Sequence, residues 1–479
     1  MGCLCDRGDS SGTLPVDDVL LSDQGARLVS DPVFGDQFTV KQSLPKHPLT
    51  SDFVEPLAGR TNLVTAEFQE WKTWRSAFNP GFSASHLMTL VPGIVTNVSI
   101  FCDILREHAR KNDLFRLEKH ATRLTIDIIG KVVLDLDFKS QRGEHELVSA
   151  FESQVAWQPV GAMFRPTELI NIFRPFVQWR NTRTMDRCVA RELDKRFATL
   201  EERSKQKNII DLALNTYLKE NPPAKTQSVN RTMDSRFKQA AIDNIKVFIF
   251  AGHDTSSSAI CYAFYHLSRN PETLAAVRKE HDAVFGTDVS KVGEIIEQEP
   301  HLINKLDWTM AVIREVLRLH PPASTIRIGN KDFFLNDPTT NEQWPTDDFM
   351  LFPVNINYHR SGKLWSDPNR FRPQRWLAHA PPPEGANRDA YVAFSKGNRN
   401  CIGQELALIE IKIVLAMAVR CFDFSVRYDE LDKLKGDKSG YPSDSSGIQE
   451  QFGDEAYQIQ LGTAKPREGL PCRVKLRDV

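Results

Sequence analysis

One cysteine of the sequence stands where a thiol could be chemically active. Cys401 lies on a glycine-rich loop between Gly397 and Gly403, with Arg399 two residues before it, and an apolar helical pattern follows directly. The positive end of a helix dipole and unpaired backbone N–H groups stabilise a thiolate at such a position. Glycines let the backbone turn tightly and approach a flat, bulky partner. The pattern predicts a nucleophile, a redox switch or a metal ligand.

The other cysteines that we compared with it lack such surroundings. Cys102, Cys188, Cys261 and Cys421 lie in helical or apolar stretches, which is typical of buried structural cysteines. The eight cysteines of the chain follow no regular framework, which indicates free thiols in a reducing compartment. A zinc site at Cys401 is poorly supported, because no His or Cys accompanies it at zinc-binding spacing.

A second candidate is the polar interruption of a long apolar helix, in the stretch 251-AGHDTSSS-258. Asp254 and Thr255 need partners or a purpose there, because an unpaired polar group is costly to bury. The simpler interpretation is that hydroxyl groups bond back to the preceding helical turn, as Ser256 to Ser258 could do.

Two pairs of residues at helical spacing, each containing an arginine, are further candidates. Glu315 and Arg318 are three residues apart, directly before a Pro-Pro break, and Trp71 and Arg75 are one helical turn apart. A lone pair of the first kind is usually a weak surface ion pair. A pair of the second kind is often cation–π packing.

The elements that must position these residues are mostly helical. From about residue 65 to residue 320 the apolar spacing predicts helices, and after Pro321 short strand-like runs alternate with turns. The fold class is therefore mainly α with small β-sheets, α+β by its layers. We expect an irregular segment at 1–60, incomplete or unusual, and a single domain at 61–479.

Composition excludes some classes of protein. The chain has 479 residues, 41% hydrophobic and 26% charged, with a formal net charge of −1, so no overall field favours nucleic acid. No continuous apolar run reaches the roughly 18 residues of a transmembrane helix. The totals are typical of a globular protein with a large core.

The cysteine loop resembles that of a known family. Its residues match the haem-thiolate loop of the cytochrome P450 family, F-x-x-G-x-R-x-C-x-G, at every position: Phe394, Gly397, Arg399, Cys401 and Gly403. The resemblance implies that haem b lies between the long distal helix and the helix after the cysteine loop. Cys401 is then the axial thiolate ligand of the iron, which favours O–O cleavage.

Two other stretches resemble the family's motifs near the haem. Gly252, Asp254 and Thr255 match A-G-x-D-T, in which the glycine opens the helix for dioxygen and the two polar residues relay protons. Trp71 and Arg75, followed by a Pro-x-F segment, match the pair that binds the haem propionates. Arg327 is another propionate partner by a looser match.

A third resemblance is structural. Glu315 and Arg318 match the family's E-x-x-R helix, and Arg375 matches the arginine that completes a Glu–Arg–Arg network. The implied role is to lock the core beside the haem. Removing one partner from a buried charge cluster costs about 3–5 kcal/mol.

The resemblance also implies an activity. It is hydroxylation or another oxidation of a medium-sized apolar organic molecule by dioxygen, of polyketide or terpenoid type in fungal secondary metabolism. Because no flavin or nicotinamide motif is present, two electrons must come from a partner, implied to be an NADPH-dependent flavoprotein reductase. Lys72 and Lys396 could form its docking face or be ordinary solvated lysines. Alternatives are haem binding without turnover, and desaturation or peroxide rearrangement.

The front of the chain departs from the family. Membrane-bound members carry an anchor helix and a longer segment before the W-x-x-x-R helix, whereas here only 70 residues precede Trp71. We therefore expect an intracellular protein without an anchor in this sequence, although the family implies association with the endoplasmic reticulum.

Overall fold

A computed structural model describes residues 19–22, 25–158, 171–198, 208–220, 233–378, 386–434 and 450–477. Helices dominate these residues. In chain order they are α1 (Pro32–Asp36), α2 (Pro48–Ala58), α3 (Phe68–Phe78), α4 (Ala84–Lys111), α5 (Leu117–Leu134), α6 (Glu146–Ala156), α7 (Arg174–Ala198), α8 (Ile209–Glu220), α9 (Ser235–Arg269), α10 (Pro271–Phe285), α11 (Val292–Gln298), α12 (Asp307–Leu319), α13 (Asn355–Arg360), α14 (Gln404–Ala418) and α15 (Tyr428–Leu434).

The strands are short. They are β1 (Val19–Ser22), β2 (Ala26–Val29), β3 (Phe115–Arg116), β4 (Arg327–Ile328), β5 (Phe334–Asn336), β6 (Gln343–Pro345), β7 (Met350–Pro353), β8 (Phe422–Val426), β9 (Gln458–Leu461), β10 (Thr463–Pro466) and β11 (Pro471–Leu476). The largest sheet has the order β1-β2-β7-β4, in which β2 and β7 are parallel with Leu28 opposite Phe352. A second sheet has the order β3-β11-β8, and β9-β10 and β5-β6 are hairpins.

The long helix α9 forms the centre of the core. The Asp234 side chain caps its N-terminus by accepting from the Arg236 N–H, and the helix ends at Arg269, with Asn270 as the C-cap before Pro271. Its middle is buried on almost every side, because α5, α2, α7, α12 and α14 pack around it. A helix buried all round must be apolar all round, so Asp254 and His253 within it are exceptions that require partners.

The described part of residues 1–60 is regular, contrary to our expectation. Strand β2 pairs with β7, and α2 packs against α9. We missed these elements because they are short and punctuated by Pro and Gly, which hides their periodicity. The remainder of the segment, 1–18 and 23–24, lies outside the described residues, and the domain boundary itself stays a prediction.

One helix among the described residues, α4, is long and apolar enough to cross a membrane. Half of its most apolar window is buried inside the fold, where it packs against α5 and α14. A buried core helix passes the same test of length and composition, so this finding indicates little about membranes.

Candidate active site

A cavity lies between α9 and the loop that carries Cys401. It contains about 1150 Å³ of space free of protein atoms, part of it open to solvent. Most of the lining is apolar, with contributions from α5, α9 and α14. The lining residues include Phe82, Ile129, Phe248, Ala251, Gly252, Thr255, Ala259, Leu317, Pro322, Ala323, Phe394, Cys401, Leu406 and Glu410.

The loop before α14 presents Cys401 to this cavity. The Cys401 N–H donates to the Phe394 carbonyl over 2.9 Å, and the Asn400 N–H donates to the Gly397 carbonyl over 3.2 Å. Gly397 has φ +70°, and a Cβ there would lie 3.2 Å from the Cα of Val40. The loop therefore needs glycine both for its turn and for its close approach to the chain at Val40.

The electrostatic setting of Cys401 contains opposing effects. Its side chain is open to the cavity yet deep in the protein, so burial raises the pKa of the thiol. The N–H groups of Gly403 and Gln404 and the Arg75 guanidinium act against this rise. An electrophilic partner in the cavity, such as a metal ion, would complete the stabilisation of a thiolate.

Three cations meet at one edge of the cavity with too few anions to pair them. Lys46 and Arg399 line the cavity, and Arg327 lies near them but is not among the lining residues. Lys46 donates to Thr325 Oγ1 over 2.5 Å, and Arg399 is paired with Glu67. Arg327 is 1% exposed, and its Nε and Nη1 have no hydrogen-bond partner among the described residues. Burial, with Arg327 and Arg399 nearby, lowers the pKa of Lys46 to about 7. The group formed by Lys46, Arg327 and Arg399 is therefore suited to bind an anion.

Trp71 and Arg75 lie on α3, beside this edge but outside the cavity lining. The guanidinium of Arg399 stacks over the Trp71 ring, 4.4 Å from its centroid. Arg75 donates to the carbonyl and side-chain oxygens of Asn400 over 2.7 and 2.9 Å. The structure thus brings both residues to the cysteine loop, where they support Arg399 and the residue before Cys401.

The polar residues of α9 point in different directions. Thr255 lines the cavity and donates to the Ala251 carbonyl over 2.9 Å. Asp254 is buried on another face, where its Oδ1 lies 2.6 Å from Lys465 Nζ and its Oδ2 accepts from the Thr463 N–H over 2.8 Å. A Cβ on Gly252 would come within 2.9 Å of Ile129 Cδ1, so this glycine leaves room for the Ile129 side chain of α5.

Glu315, Arg318 and Arg375 are in contact, and their side chains are fully buried. Glu315 Oε1 accepts from Arg318 Nη2 over 2.8 Å and from Arg375 Nε over 3.1 Å. Glu315 Oε2 accepts from Arg318 Nε and from Trp376 Nε1, both over 2.9 Å. Burial alone would raise the pKa of Glu315, but these partners outweigh it and hold the pKa below its usual value.

Comparisons with known proteins decide the family. The Cytochrome P450 family model matches residues 30–448. The chain belongs to the cytochrome P450 family. It is 38% identical over 449 residues to cytochrome P450 monooxygenase polC of Polytolypa hystricis, covering 94% of this chain and 79% of that protein. It is also 38% identical over 474 residues to cytochrome P450 monooxygenase acrF of Aspergillus aculeatus, covering 94% and 92%.

Solved structures confirm the predicted fold. The crystal structure of a cytochrome P450, CYP102L1, superimposes with a TM-score of 0.73 at 20% identity, covering 96% of this chain and 92% of that one. The haem domain of cytochrome P450DA gives 0.69 at 19% identity, covering 95% and 89%. The protein is therefore a cytochrome P450 monooxygenase, and the family implies a haem with a cysteine thiolate as its axial ligand.

The cavity of this cytochrome P450 fits a haem. Cys401 offers sulfur from one wall, and the apolar lining matches the faces of a porphyrin. The unpaired nitrogens of Arg327, together with Lys46 and Arg399, would receive the two propionates. A ligand that carries two carboxylates would thus supply the anions that Lys46, Arg327 and Arg399 lack.

Several residues of the site were missed at the level of sequence. Lys46 and Glu67 belong to no recognised motif, and Glu410 and Lys465 come from an apolar helix and from the last hairpin. Glu410 is buried and its polar partner is the Ser256 hydroxyl, so burial raises its pKa to about 8. A charged residue inside the apolar run 405–419 was the signal that could have revealed Glu410.

Proposed function

We propose that this P450 oxidises a medium-sized apolar organic molecule of fungal secondary metabolism, using haem b and two electrons from an NADPH-dependent flavoprotein reductase. The observation that carries the proposal is the apolar cavity with Cys401 on one wall and Thr255 on another. The fungal monooxygenases polC and acrF, similar over nearly the whole chain, support the biological setting.

The residues of the cavity have separate tasks in this proposal. Cys401 would hold the iron of the haem, and the haem would supply the activation of dioxygen. Phe82, Phe248 and Leu317 exclude water and bind an apolar substrate by contact area. Thr255 supplies a hydroxyl group to the cavity, and Asp254 follows it in the relay of protons from solvent. Lys46, Arg327 and Arg399 fix the orientation of the cofactor.

Haem binding is tested first. We expect the dithionite-reduced protein with carbon monoxide to show the far red-shifted Soret band of thiolate-ligated haem. Cys401→Ala should abolish that band, whereas Cys421→Ala, a half-buried cysteine outside the cavity lining, should keep it. Extraction of the pigment and its pyridine adduct identify haem b. A parent protein without the shifted band would overturn the proposal.

The reaction class is tested by the oxidant. With dioxygen, NADPH and a flavoprotein reductase, product should carry one oxygen atom from labelled dioxygen, and substrates should be found by the spin-state shift that they induce. Conversion of an organic peroxide itself into product, without reductase, would instead favour peroxide rearrangement. A product that has lost two hydrogens and carries no labelled oxygen would favour desaturation. A spin-state shift without any product would favour haem binding without turnover.

The electron donor is proposed to dock near the cysteine loop. Lys72 is exposed on α3, and Lys396, on the loop itself, lies 3.7 Å from Asp36. Surface charges of this kind act mainly on the rate of association. Reversing both charges should slow reduction by the reductase several-fold at low salt, with no change in reduction by dithionite. An equal rate for the double variant would remove these lysines from the docking face.

Association with the endoplasmic reticulum membrane is proposed on one exposed surface. Four apolar residues at the start of α7 and just before it are exposed, namely Ile172, Phe173, Phe176 and Trp179. Arg183 stacks over the Trp179 ring, and a mixture of aromatic and basic side chains suits a lipid interface. Phe173→Ser with Phe176→Ser should weaken flotation with anionic vesicles, and unchanged flotation would reject this surface.

A further inference from the structure

Three side chains that can bind a metal ion converge outside the lining of the haem cavity. His266 lies near the end of α9, His320 follows α12, and Asp454 precedes β9. The Nε2 atoms of the two histidines are 2.9 Å apart, and His320 Nε2 is 3.7 Å from Asp454 Oδ2. One ligand atom from each residue lies within 4.8 Å of the other two. The fold therefore brings two imidazoles and a carboxylate together from three segments of the chain.

The spacing of the two imidazole rings suits a shared metal ion. The ring centroids of His266 and His320 are 5.1 Å apart. Two imidazoles on one tetrahedral zinc, with Zn–N bonds of about 2.0–2.1 Å, have nitrogens about 3.3 Å apart and ring centroids about 5.2 Å apart. The rings already stand at this separation. Each needs only a small rotation, so that its nitrogen faces the ion instead of the other ring.

Aromatic neighbours hold both rings and allow this rotation. The His320 ring stacks on Tyr262 with centroids 3.7 Å apart, and the His266 ring stacks on Phe371 with centroids 4.5 Å apart, each pair with planes 5° apart. A rotation of a ring within its own plane preserves such a stack. Burial lowers the pKa of His266 to about 3 and holds the pKa of His320 well below its usual value. Both imidazoles are therefore neutral at pH 7, which is the form that binds metal ions.

A polar cleft connects this group to solvent. It contains about 1800 Å³ of space free of protein atoms, part of it open to solvent, and its lining includes His266, Asp454, Thr273 and Gln374. His266 and His320 are 4% and 3% exposed, whereas the side chain of Asp454 is 14% exposed. The cleft offers an ion an entry path. Three protein ligands leave the fourth position of a tetrahedral ion to water.

One cation opposes a metal ion in this place. Arg360 Nη2 lies 3.4 Å from Asp454 Oδ2. The guanidinium has further partners, because it donates to the Leu319 carbonyl and to Asn369 Oδ1, both over 3.1 Å. It also stacks over the Phe452 ring, 4.7 Å from its centroid. Arg360 therefore keeps partners when Asp454 turns to a metal ion, but its charge lowers the affinity for that ion.

We propose that His266, His320 and Asp454 form a binding site for one zinc ion, which ties the end of α9 to the segment after α12 and to the chain before β9. Two histidines and one carboxylate are a ligand set that Zn²⁺ accepts readily. Because the site exists only in the folded chain, zinc stabilises the fold. The proposal does not depend on the proposed function, since none of the three residues lines the haem cavity.

Equilibrium dialysis of the haem-loaded protein against buffered zinc, followed by metal analysis, tests the site. After treatment with a chelator, the parent should take up one zinc ion per chain. His320→Gln and Asp454→Asn each remove one ligand and should weaken binding by about 100-fold. The control is the double variant His108→Gln with His120→Gln. It removes another close pair of imidazoles, with Nε2 atoms 3.0 Å apart, and should bind zinc as the parent does.

X-ray absorption at the zinc edge identifies the ligands. We expect nitrogen and oxygen at about 2.0–2.1 Å, with the outer-shell scattering of two imidazoles. Zinc should also raise the Tm of the parent and leave that of Asp454→Asn unchanged. The spectrum of the reduced protein with carbon monoxide shows whether a variant has folded around haem. Asp454→Asn, which keeps the size of the side chain, carries the test if His320→Gln does not fold.

Arg360 provides an effect of opposite sign. Arg360→Gln removes the competing cation and should tighten zinc binding by about 10-fold. Arg372→Gln, which removes a cation of the cleft lining that is paired with Asp367, should change the affinity less. Weaker binding in Arg360→Gln would overturn the proposal. So would equal zinc uptake by the parent and Asp454→Asn, or a shell of sulfur at about 2.3 Å, which would place the ion on cysteines.

Discussion

Two buried clusters of charged residues in this P450 differ in whether the protein supplies all of their counter-charges. The complete group surrounds Glu315, and the incomplete group consists of Lys46, Arg327 and Arg399. The Glu315 carboxylate takes hydrogen bonds from Arg318, Arg375 and Trp376 and from the Arg372 backbone, and none of its side chain is exposed. At the edge of the cavity, Lys46, Arg327 and Arg399 have Glu67 as their anion, and two Arg327 nitrogens lack a partner among the described residues.

The difference separates structure from binding. A buried charge that the protein pairs fully can be removed only at a cost in folding free energy, because its partners are then left unpaired. A buried group that lacks counter-charges destabilises the folded protein when no ligand is bound. A ligand that supplies the counter-charges therefore stabilises the folded protein. Substitutions in the two groups should therefore affect different measurements.

The largest effect should come from the complete group. Glu315→Ala leaves two buried arginines without their carboxylate, and we expect a loss of about 3–5 kcal/mol in the free energy of unfolding. Chemical denaturation of the purified protein measures it. Glu294→Ala, on the exposed face of α11, is the matched control and should change stability by less than about 0.5 kcal/mol. Similar effects for the two variants would contradict the structural role.

A substitution in the incomplete group should stabilise the haem-free protein and weaken its retention of haem. Lys46→Met removes a cation that repels Arg327 and Arg399, so the haem-free protein should become more stable. The loaded variant should lose haem about 10-fold faster, because one charge-assisted hydrogen bond to a propionate is missing. Transfer of haem to an acceptor protein measures the second effect. Lys72→Met is the control, and a haem-free variant less stable than the parent would argue against the interpretation.

The same lysine should be visible in the pH dependence of stability. Its pKa is lowered from 10.5 to about 7 in the folded protein, so between these values the unfolded chain binds more protons. The contribution of Lys46 to the free energy of unfolding of the haem-free protein therefore rises with pH, from about 7 towards 10.5. Lys46→Met should remove this rise. A curve of the same slope in parent and variant would mean that Lys46 is solvated.

Glu410 should change the pH dependence of stability in the opposite direction. Its pKa is raised from 4.5 to about 8, so the folded protein binds more protons between these values, and stability falls as pH rises through them. Glu410→Gln keeps a polar group beside Ser256 without the charge, and it should flatten that fall. Stability measured between pH 5 and about pH 8.5 tests this, with Glu405→Gln on the same helix as the control. An unchanged fall would show that another group is responsible.

Sequence reasoning reached the parts of the site that are local in the chain. The Cys401 loop and the pair Glu315 and Arg318 have fixed spacing within one turn or helix, so a pattern is sufficient to find them. Lys46 and Lys465 reach the site only through tertiary packing, from segments far apart in the chain, and no spacing connects them. The direction of Asp254 was equally hidden, because it depends on β10, which pairs with β9 and packs on α9.

The fold was predictable as a class but less so in its sheets. Long helices with apolar faces are evident from their period, as α12 is. Strand β2 has four residues, all buried, and its parallel partner β7 is more than 300 residues away. A run of four residues that includes Arg27 does not distinguish strand from helix by itself, and only the partner determines its structure.

The position of residues 463–465 beside Asp254 has a consequence for folding during synthesis. The chain at Val40 supports the cysteine loop at Gly397, and Lys46 completes the cationic edge, whereas Thr463 follows Asp254 by 209 residues and is synthesised that much later. While these residues remain inside the ribosome, Asp254 has neither its cation nor its backbone donor. In a nascent chain, α9 therefore carries an unpaired Asp254 carboxylate in its apolar middle until β10 has been synthesised and has packed against it.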